Sequence, residues 1–263
     1  MYSQSESRLM LIYLAVKYKG DVNQILTAML QNEKVPYPEA ENIAKSLPCK
    51  AITLLDYDYP SKLKHAYNPP IVLFYYGDIT LLDDNKRKLG VVGSRECSEY
   101  GRKATAKLVG GLARDAVIVS GLAYGIDGAA HQATIDNNGR TIAVLGSGID
   151  YCYPEENREL YESIKKNHLL ISEYPGMTTP DQDHFPMRNR IIVALSDALL
   201  VPQINTYKSG TNISIGLAIQ SNKTVMAIPH PIDEGFPNIT NKLLNEGAAL
   251  VESSDDIKDE LDW

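Results

Sequence analysis

The sequence has little cysteine and no long apolar run, and both absences narrow the class of protein. Its three cysteines, Cys49, Cys97 and Cys152, are far apart and odd in number. This pattern argues against a disulfide framework or a zinc knuckle and indicates a reduced, cytoplasmic chain. No stretch of about 18 apolar residues is present, so we expect no membrane span. The N-terminus lacks a small-residue cleavage site, so we expect no signal peptide.

Common cofactor and nucleophile motifs are also missing. The nearest match to GxGxxG is GSGIDY at 146–151, which lacks the third glycine, so a dinucleotide site is poorly supported. GxxxxGK[ST] is absent, which argues against a P-loop NTPase. There is no GxSxG elbow, and no two histidines have the spacing of metal ligands. We therefore expect neither a cofactor nor a metal.

The net charge of −7 excludes a protein that coats polyanions over its whole surface, but this charge is unevenly distributed. The last twelve residues, ESSDDIKDELDW, contain six acids and one lysine. The other 251 residues therefore carry only about −2. Such a balance is compatible with a local basic groove.

The start of the chain differs in pattern from the rest. SESRLMLIYLAVKYKG has apolar residues at helical spacing and ends in glycine, and two shorter helical segments follow around Pro36 and Pro38. We predict a small helical domain over residues 1–48 and a larger domain over 49–263. The aromatic segment IVLFYY, in the link that leads out of the helical domain, suggests a sheet edge or a lid strand.

From residue 88, apolar runs of strand length alternate with segments of helical period. The runs cover 89–93, 116–121, 141–146, 168–172, 197–202, 223–229 and 248–253. Strands that are apolar throughout and alternate with helices indicate a parallel sheet covered on both faces. The predicted fold class is therefore α/β.

The turns after these strands are rich in glycine, serine and threonine, as in GSRECSEYG, SGLAYGID and PQINTYKSGT. In an open parallel sheet, ligands bind beyond the carboxyl ends of the strands, where helices begin and offer free N–H groups. Tight turns need glycine anyway, but several such turns together favour a phosphorylated or extended anionic ligand.

The segment HFPMRNRIIVALS places an aromatic residue before two arginines. Arginine binds phosphate with two parallel donors, and an aromatic side chain beside it can stack a base, as in single-strand binders. We predict that Phe185 lies on a proline-stiffened loop and that Arg188 begins a helix. The alternative is that Phe185 plugs the sheet end and the arginines pair with Asp181, Asp183 or Glu173.

Candidate catalytic residues are few. Asp127 and His131 are four residues apart on a predicted helix, which suits a base and its orienting partner but is more often a structural contact. Ser120 has no obvious base nearby and is better explained as a hydrogen-bond donor in a turn.

Five segments together resemble a known family. They are GSRECSEYG (93–101), SGLAYGIDGAAH (120–131), GSGIDYCYPEEN (146–157), SEYPG (172–176) and HFPMRNRIIVALS (184–196). In this order they resemble the DNA-processing protein A family (DprA, also called Smf), from about residue 53 to about residue 252. Each segment alone is weak evidence for the family, but the combination of the five is highly specific for it.

The resemblance implies a small helical (SAM-like) N-terminal domain and an extended Rossmann-like domain. It also implies a cytoplasmic, non-enzymatic homodimer that binds single-stranded DNA in natural transformation, protects the incoming strand and loads RecA recombinase. The implied DNA contacts are Arg95, Ser120, Gly121, Phe185, Arg188, Asn189, Arg190, Lys208, Ser209 and Gly210.

The chain departs from the family pattern at Pro202, His230 and Tyr124, all on the expected binding edge. From its acidic C-terminal tail we expect no winged helix, a domain that many members carry. Two other functions stay open. One is a nucleotide hydrolase of the lysine-decarboxylase-like fold that uses Asp127 and His131, and the other is a sensor of small nucleotides.

Overall fold

The computed structural model describes residues 3–206, 209–233 and 239–263. Its centre is a nine-stranded sheet in the order β1-β2-β6-β5-β4-β3-β7-β8-β9. The strands are Lys50–Thr53 (β1), Val72–Gly77 (β2), Lys88–Val91 (β3), Val117–Ser120 (β4), Arg140–Leu145 (β5), Leu169–Ser172 (β6), Ala198–Val201 (β7), Val225–Ala227 (β8) and Ala249–Leu250 (β9). The strands from β3 to β9 are parallel, which confirms the predicted sheet.

Helices cover both faces of this sheet. They are Gln4–Lys17 (α1), Val22–Leu30 (α2), Tyr37–Ser46 (α3), Ser61–Lys64 (α4), Glu99–Leu112 (α5), Ile126–Asp136 (α6), Arg158–Asn167 (α7), His184–Leu195 (α8), Gly210–Gln220 (α9), Ile239–Asn245 (α10) and Ser254–Leu261 (α11). Short 3₁₀ turns lie at Ile79–Leu82 and Glu155–Asn157.

Alternate side chains of each strand enter different cores. Along β5, Ile142 and Val144 belong to the cluster under α8 and α9, whereas Ala143 and Leu145 belong to the cluster under α7 and the N-terminal helices. Because both faces are buried, the central strands are mainly apolar, and their polar residues lie at the strand ends.

The edge of the sheet differs from the prediction. Most of the segment IVLFYY belongs to β2, Val72–Gly77, which pairs antiparallel with β1 on one side and with β6 on the other. The edge strand is β1, with the sequence KAIT. The four residues of β1 are too few, and alternate too weakly, to identify a strand from the sequence. The prediction therefore placed the sheet edge at β2 and not at β1.

The N-terminal residues form three helices, as predicted, and begin at a capping box in which the Ser3 and Glu6 side chains each accept from the other's backbone N–H. These helices pack on the sheet: Leu14 and Ile25 share one cluster with Phe74 of β2. The Arg8 guanidinium also donates to Asp56 at 2.8 Å. The division at residue 48 stays a prediction, because this interface joins the two parts through a common core.

The acidic end of the chain is a folded helix. Ser253 and Asp256 form a capping box at the start of α11, and Ile257 is fully buried. Two carboxylates in the first turn suit the positive end of the helix dipole. Within the described residues, no helix is both long and apolar enough to cross a membrane.

Candidate nucleic-acid interface

The site lies at the point where the strand order of the sheet reverses. The chain runs outward from β3 through β4, β5 and β6, and then returns to place β7 on the other side of β3. The helices that follow β3 and β7 therefore cover opposite faces, and the loops that lead into them start side by side at the carboxyl edge. Open parallel sheets bind their ligands at such a switch point.

A cavity of about 380 Å³ opens at this point. The loop after β3 contributes Ser94 and Arg95, and the loop after β7 contributes Asn205. The two loops are joined, because the Asn205 backbone N–H donates to the Ser94 hydroxyl at 2.9 Å. The first turns of α8 and α9 complete the walls.

Phe185 and Arg95 meet at the mouth of this cavity. The Arg95 guanidinium carbon lies over the Phe185 ring at 5.1 Å from its centroid, a cation–π contact. Arg95 is exposed, and Phe185 is half-buried. An exposed cation beside an aromatic ring can contact a phosphate and a base at once.

Phe185 does not lie on a loop, as we predicted, but in the first turn of α8. The helix begins at His184, four residues before Arg188, and Pro186 is its third residue. The first four N–H groups of a helix have no intrahelical acceptor, so a proline there removes no hydrogen bond. Proline at this position therefore marked a helix start and not a loop.

Arg188 is buried beneath the cavity. Its Nη1 donates to the carbonyl oxygens of Gly121 and Val144, at 2.5 Å each, and its Nε donates to Asn189. A Cβ atom at Gly121 would overlap this guanidinium, so only glycine leaves room for it. Burial lowers the pKa of Arg188, while the nearby Asp127 carboxylate opposes that shift. Arg188 thus fastens α8 to the ends of β4 and β5.

The start of α9 forms another wall of the cavity. Ser209 is the N-cap residue, and Gly210 is exposed at the first helical position. The Asn189 side chain donates to the Gly210 carbonyl at 3.0 Å, which holds α9 against α8. The buried Ser209 hydroxyl has no hydrogen-bond partner among the described residues. Lys208 lies outside the described residues.

Arg190 is in a buried ion pair, as the alternative for the arginines allowed. Its Nη2 donates to the Glu173 carboxylate at 2.7 Å, and the two side chains are 5% and 4% exposed. A direct DNA contact by Arg190 stays a prediction, and it would require this pair to open.

Ser120 is fully buried, and its hydroxyl donates to the Val91 carbonyl at 2.6 Å. The side chain therefore joins β4 to β3 in the interior. The predicted DNA contact at the Ser120–Gly121 turn stays a prediction, and only backbone groups of this turn lie close to the site.

Asp127 and His131 do not form the pair that a base and its orienting partner would need. Asp127 is buried and accepts from the Gly121 N–H at 3.2 Å. His131 is fully buried and faces the Thr141 hydroxyl at 2.7 Å. Burial lowers the pKa of His131 to about 3, so it is a neutral imidazole inside the core. This geometry gives the hydrolase alternative no accessible base at His131.

We expect His131 to make stability sensitive to mild acid. Its pKa lies below the unfolded value of 6.5, so its contribution is complete above pH 6.5 and is lost as the pH falls toward 3. The loss amounts to about 1.4 kcal/mol per pH unit within this window. Urea unfolding of the wild type and His131→Gln between pH 7 and pH 5 measures it. Equal pH slopes in the two proteins would contradict the expectation.

Tyr153 is a residue at the site that our sequence interpretation did not include. Its ring contacts Phe185, with 5.7 Å between the ring centroids, and it lines a narrow second cleft with Arg95 and Gly146. The motif GSGIDYCYPEEN contained it, and a tyrosine in a turn at the carboxyl edge is the signal that could have found it. The sequence interpretation also missed Asn205, because no local sequence feature identifies it as a binding residue.

Two of the departures from the family pattern contact each other. The His230 ring nitrogen Nε2 lies 2.8 Å from the Pro202 carbonyl oxygen, and His230 packs edge-on against Tyr100. The next residue, Gln203, accepts from both the backbone and the hydroxyl of Ser98, the N-cap of α5. These residues therefore support the loop after β7 beside the cavity, whereas Tyr124 lines the narrow second cleft.

An open parallel sheet with a polar cleft at its switch point places the chain in the Rossmann-like class of folds, in which this edge of the sheet commonly binds phosphate groups. The chain belongs to the DNA recombination-mediator protein A family, whose family model matches residues 50–262. This finding confirms the family resemblance seen in the sequence.

Its relatives include two bacterial proteins called DNA processing protein DprA. The one from Streptococcus pneumoniae is 42% identical over 213 residues, which cover 81% of this chain and 74% of the relative. The one from Bacillus subtilis is 40% identical over 244 residues, which cover 91% and 82%.

Two solved structures share the fold. The X-ray structure of DNA processing protein A from S. pneumoniae aligns with a TM-score of 0.81 at 35% identity, covering 99% of this chain and 96% of that one. A Helicobacter pylori DNA processing protein A, described for its single-stranded DNA binding mode, aligns with a TM-score of 0.73 at 30% identity, covering 83% and 97%.

Proposed function

We propose that this chain binds single-stranded DNA at the cleft on the carboxyl edge of its sheet. The observation that carries the proposal is the Arg95 guanidinium over the Phe185 ring at the mouth of the cavity. Arg95 would hold a backbone phosphate, and Phe185 would stack a base. The H. pylori relative, described as binding single-stranded DNA, supports the same ligand here.

The start of α9 supplies the second phosphate contact in this proposal. The N–H groups of its first residues and the positive end of the helix dipole favour an anion. The Ser209 hydroxyl, which has no hydrogen-bond partner among the described residues, would add a hydrogen bond to it, next to the exposed Gly210. Binding that rests on these ionic contacts should weaken as salt is added.

In this proposal the main role of Arg188, Asn189 and Arg190 is to position the residues that contact DNA. Arg188 joins α8 to β4 and β5, Asn189 joins α8 to α9, and Arg190 pairs with Glu173. All three hold the first turn of α8, and therefore Phe185, in place. In this proposal Arg188 also faces the ligand, since its side chain lines both clefts.

The wider role in our proposal is recombination mediation without catalysis. The chain would act in the cytoplasm as a homodimer, protect an incoming strand during natural transformation and load RecA onto it. The family description as a recombination mediator supports this role. A dimer that holds two segments of one strand would gain affinity through effective concentration. The burial of His131 leaves the hydrolase alternative without an accessible base at that residue.

Replacing Arg95 by alanine should weaken single-strand binding without affecting the fold, because this arginine is exposed. We expect the slope of log K against log salt to fall by about one, the value for one lost phosphate contact. Fluorescence anisotropy with labelled oligo-dT and a duplex of equal length, at low and physiological salt, measures both affinity and slope. Phe185→Leu should cost about 1–3 kcal/mol of binding free energy, with the slope unchanged.

Arg114→Ala is the matched control, because Arg114 is also an exposed arginine but lies away from the cleft, after α5. It should bind oligo-dT like the wild type. An equal loss in Arg95→Ala and Arg114→Ala would mean that binding follows overall charge and not this site. Folded wild-type protein that binds no oligo-dT at low salt would overturn the proposed function.

A further inference from the structure

Tyr153 presents an aromatic ring to solvent beside the proposed site. The side chain is 39% exposed although its ring contacts Phe185, with 5.7 Å between centroids and 41° between ring planes. It lines the narrow cleft on one side of the Arg95–Phe185 pair, whereas the larger cavity lies on the other. The ring is therefore placed to meet a ligand that continues past Phe185.

The two rings can hold two bases but not one base between them. Their separation lies within the range of about 4.5–7 Å in which aromatic rings contact each other directly. A base inserted between them would have to push them apart. Tyr153 and Phe185 therefore offer separate surfaces, which suits successive bases of a single strand.

Carboxylates near Tyr153 favour a base over a phosphate there, whereas Arg95 and Arg188, which line the same cleft, favour a phosphate. Tyr124 is 38% exposed and lines the same cleft, and the nearby Glu156 carboxylate raises the pKa of its hydroxyl. The neighbouring Glu155 carboxylate binds Arg158 at 2.5 and 2.6 Å, so that arginine is already engaged. Carboxylates repel the phosphate backbone, whereas an aromatic surface accepts any base.

We propose that Tyr153, with Tyr124 beside it, is a second base-stacking surface for single-stranded DNA, next to the base on Phe185. This inference rests on the proposed function, because it assigns a subsite to the same strand. The contact is not ionic, so it should add affinity that does not depend on salt. It should also accept any base, since every base has a flat face.

The test compares Tyr153→Leu with Tyr153→Phe, which keeps the ring. Binding is measured by anisotropy with oligo-dT and with an abasic strand of equal length, at two salt concentrations. We expect Tyr153→Leu to weaken oligo-dT binding about tenfold, within the range for a lost stacked base. Abasic binding and the salt slope should not change, and Tyr153→Phe should match the wild type.

The outcomes distinguish a failure of the Tyr153 subsite from a failure of the proposed function. If Arg95→Ala weakens oligo-dT binding and Tyr153→Leu does not, the subsite is wrong and the proposed function stands. If the wild type binds no oligo-dT, both fail. Equal losses on oligo-dT and on the abasic strand would also overturn the subsite, because stacking requires the base.

A second measurement uses the unaltered protein, in case Tyr153→Leu does not fold. Oligo-dT that carries 5-iododeoxyuridine is photocrosslinked to the wild type, and the tryptic peptides are identified. Tyr153 and Phe185 fall in different peptides, residues 141–158 and 167–188. We expect crosslinks in both peptides. Crosslinks confined to the Phe185 peptide would overturn the proposal.

Discussion

Glu173→Ala is expected to lower the free energy of unfolding by about 3–5 kcal/mol, the cost of removing one partner from a buried ion pair. Glu173 and Arg190 are both almost fully buried, so the guanidinium would stay in the core without its counter-charge. Arg190 already has two nitrogens, Nε and Nη1, without a partner among the described residues. Urea unfolding of the variant and the wild type measures the change.

The double variant Arg190→Met/Glu173→Leu is the control for this prediction. Replacing both charges with apolar side chains of similar size is often neutral or stabilising. We expect the double variant to recover most of the stability that Glu173→Ala loses. A loss below about 1 kcal/mol in Glu173→Ala would contradict the prediction, because surface pairs have values in that range.

The same double variant tests the predicted DNA contact of Arg190. If the folded variant binds oligo-dT with the affinity and salt slope of the wild type, Arg190 acts only by holding α8 in place. If its salt slope falls by about one, Arg190 contacts a phosphate and the pair with Glu173 opens on binding.

Gly121→Ala is expected to destabilise the protein by about 1–3 kcal/mol and to abolish most single-strand binding. The added methyl group would overlap the Arg188 guanidinium. That guanidinium is held by the carbonyls of Gly121 and Val144, so it cannot move without losing both hydrogen bonds. The first turn of α8, which carries Phe185, would shift with it. Urea unfolding and oligo-dT anisotropy measure the two effects.

Gly216→Ala provides the matched control. Gly216 lies within α9, and a Cβ atom there would meet no other atom within 4 Å. Alanine should therefore stabilise the protein by about 0.5–1 kcal/mol through its helix preference. If Gly121→Ala were as stable and as active as the wild type, Arg188 would have more room than the structure shows.

The parallel strands and the three N-terminal helices could be predicted because their signals are local. Apolar runs such as 141–146 and 197–202 lie between turn residues, and this pattern holds wherever a strand is covered on both faces. Helix spacing and Pro36 likewise marked the N-terminal helices. The predictions failed where local signals were weak or ambiguous: at β1, with four residues, and at Pro186, which suits a loop or a first helical turn equally.

The candidate site was predicted in part for the same reason. Motif residues at strand ends, such as Arg95, Phe185 and Ser209, do line one cavity. The different contacts of the two arginines could not be predicted, since Arg188 and Arg190 are only two residues apart on one helix. One lies under the cavity and the other meets Glu173, and only the direction of each side chain decides this.

By itself the sequence determined the fold class, the family and the set of polar turns at one edge of a parallel sheet. All three depend on residue types and spacings within short segments. The tertiary structure alone decided the strand order, which puts the loops after β3 and β7 at a switch point. It also decided which charges are buried and which rings are exposed. These features depend on contacts between residues far apart in the chain, such as Gly121 with Arg188, and no local pattern records them.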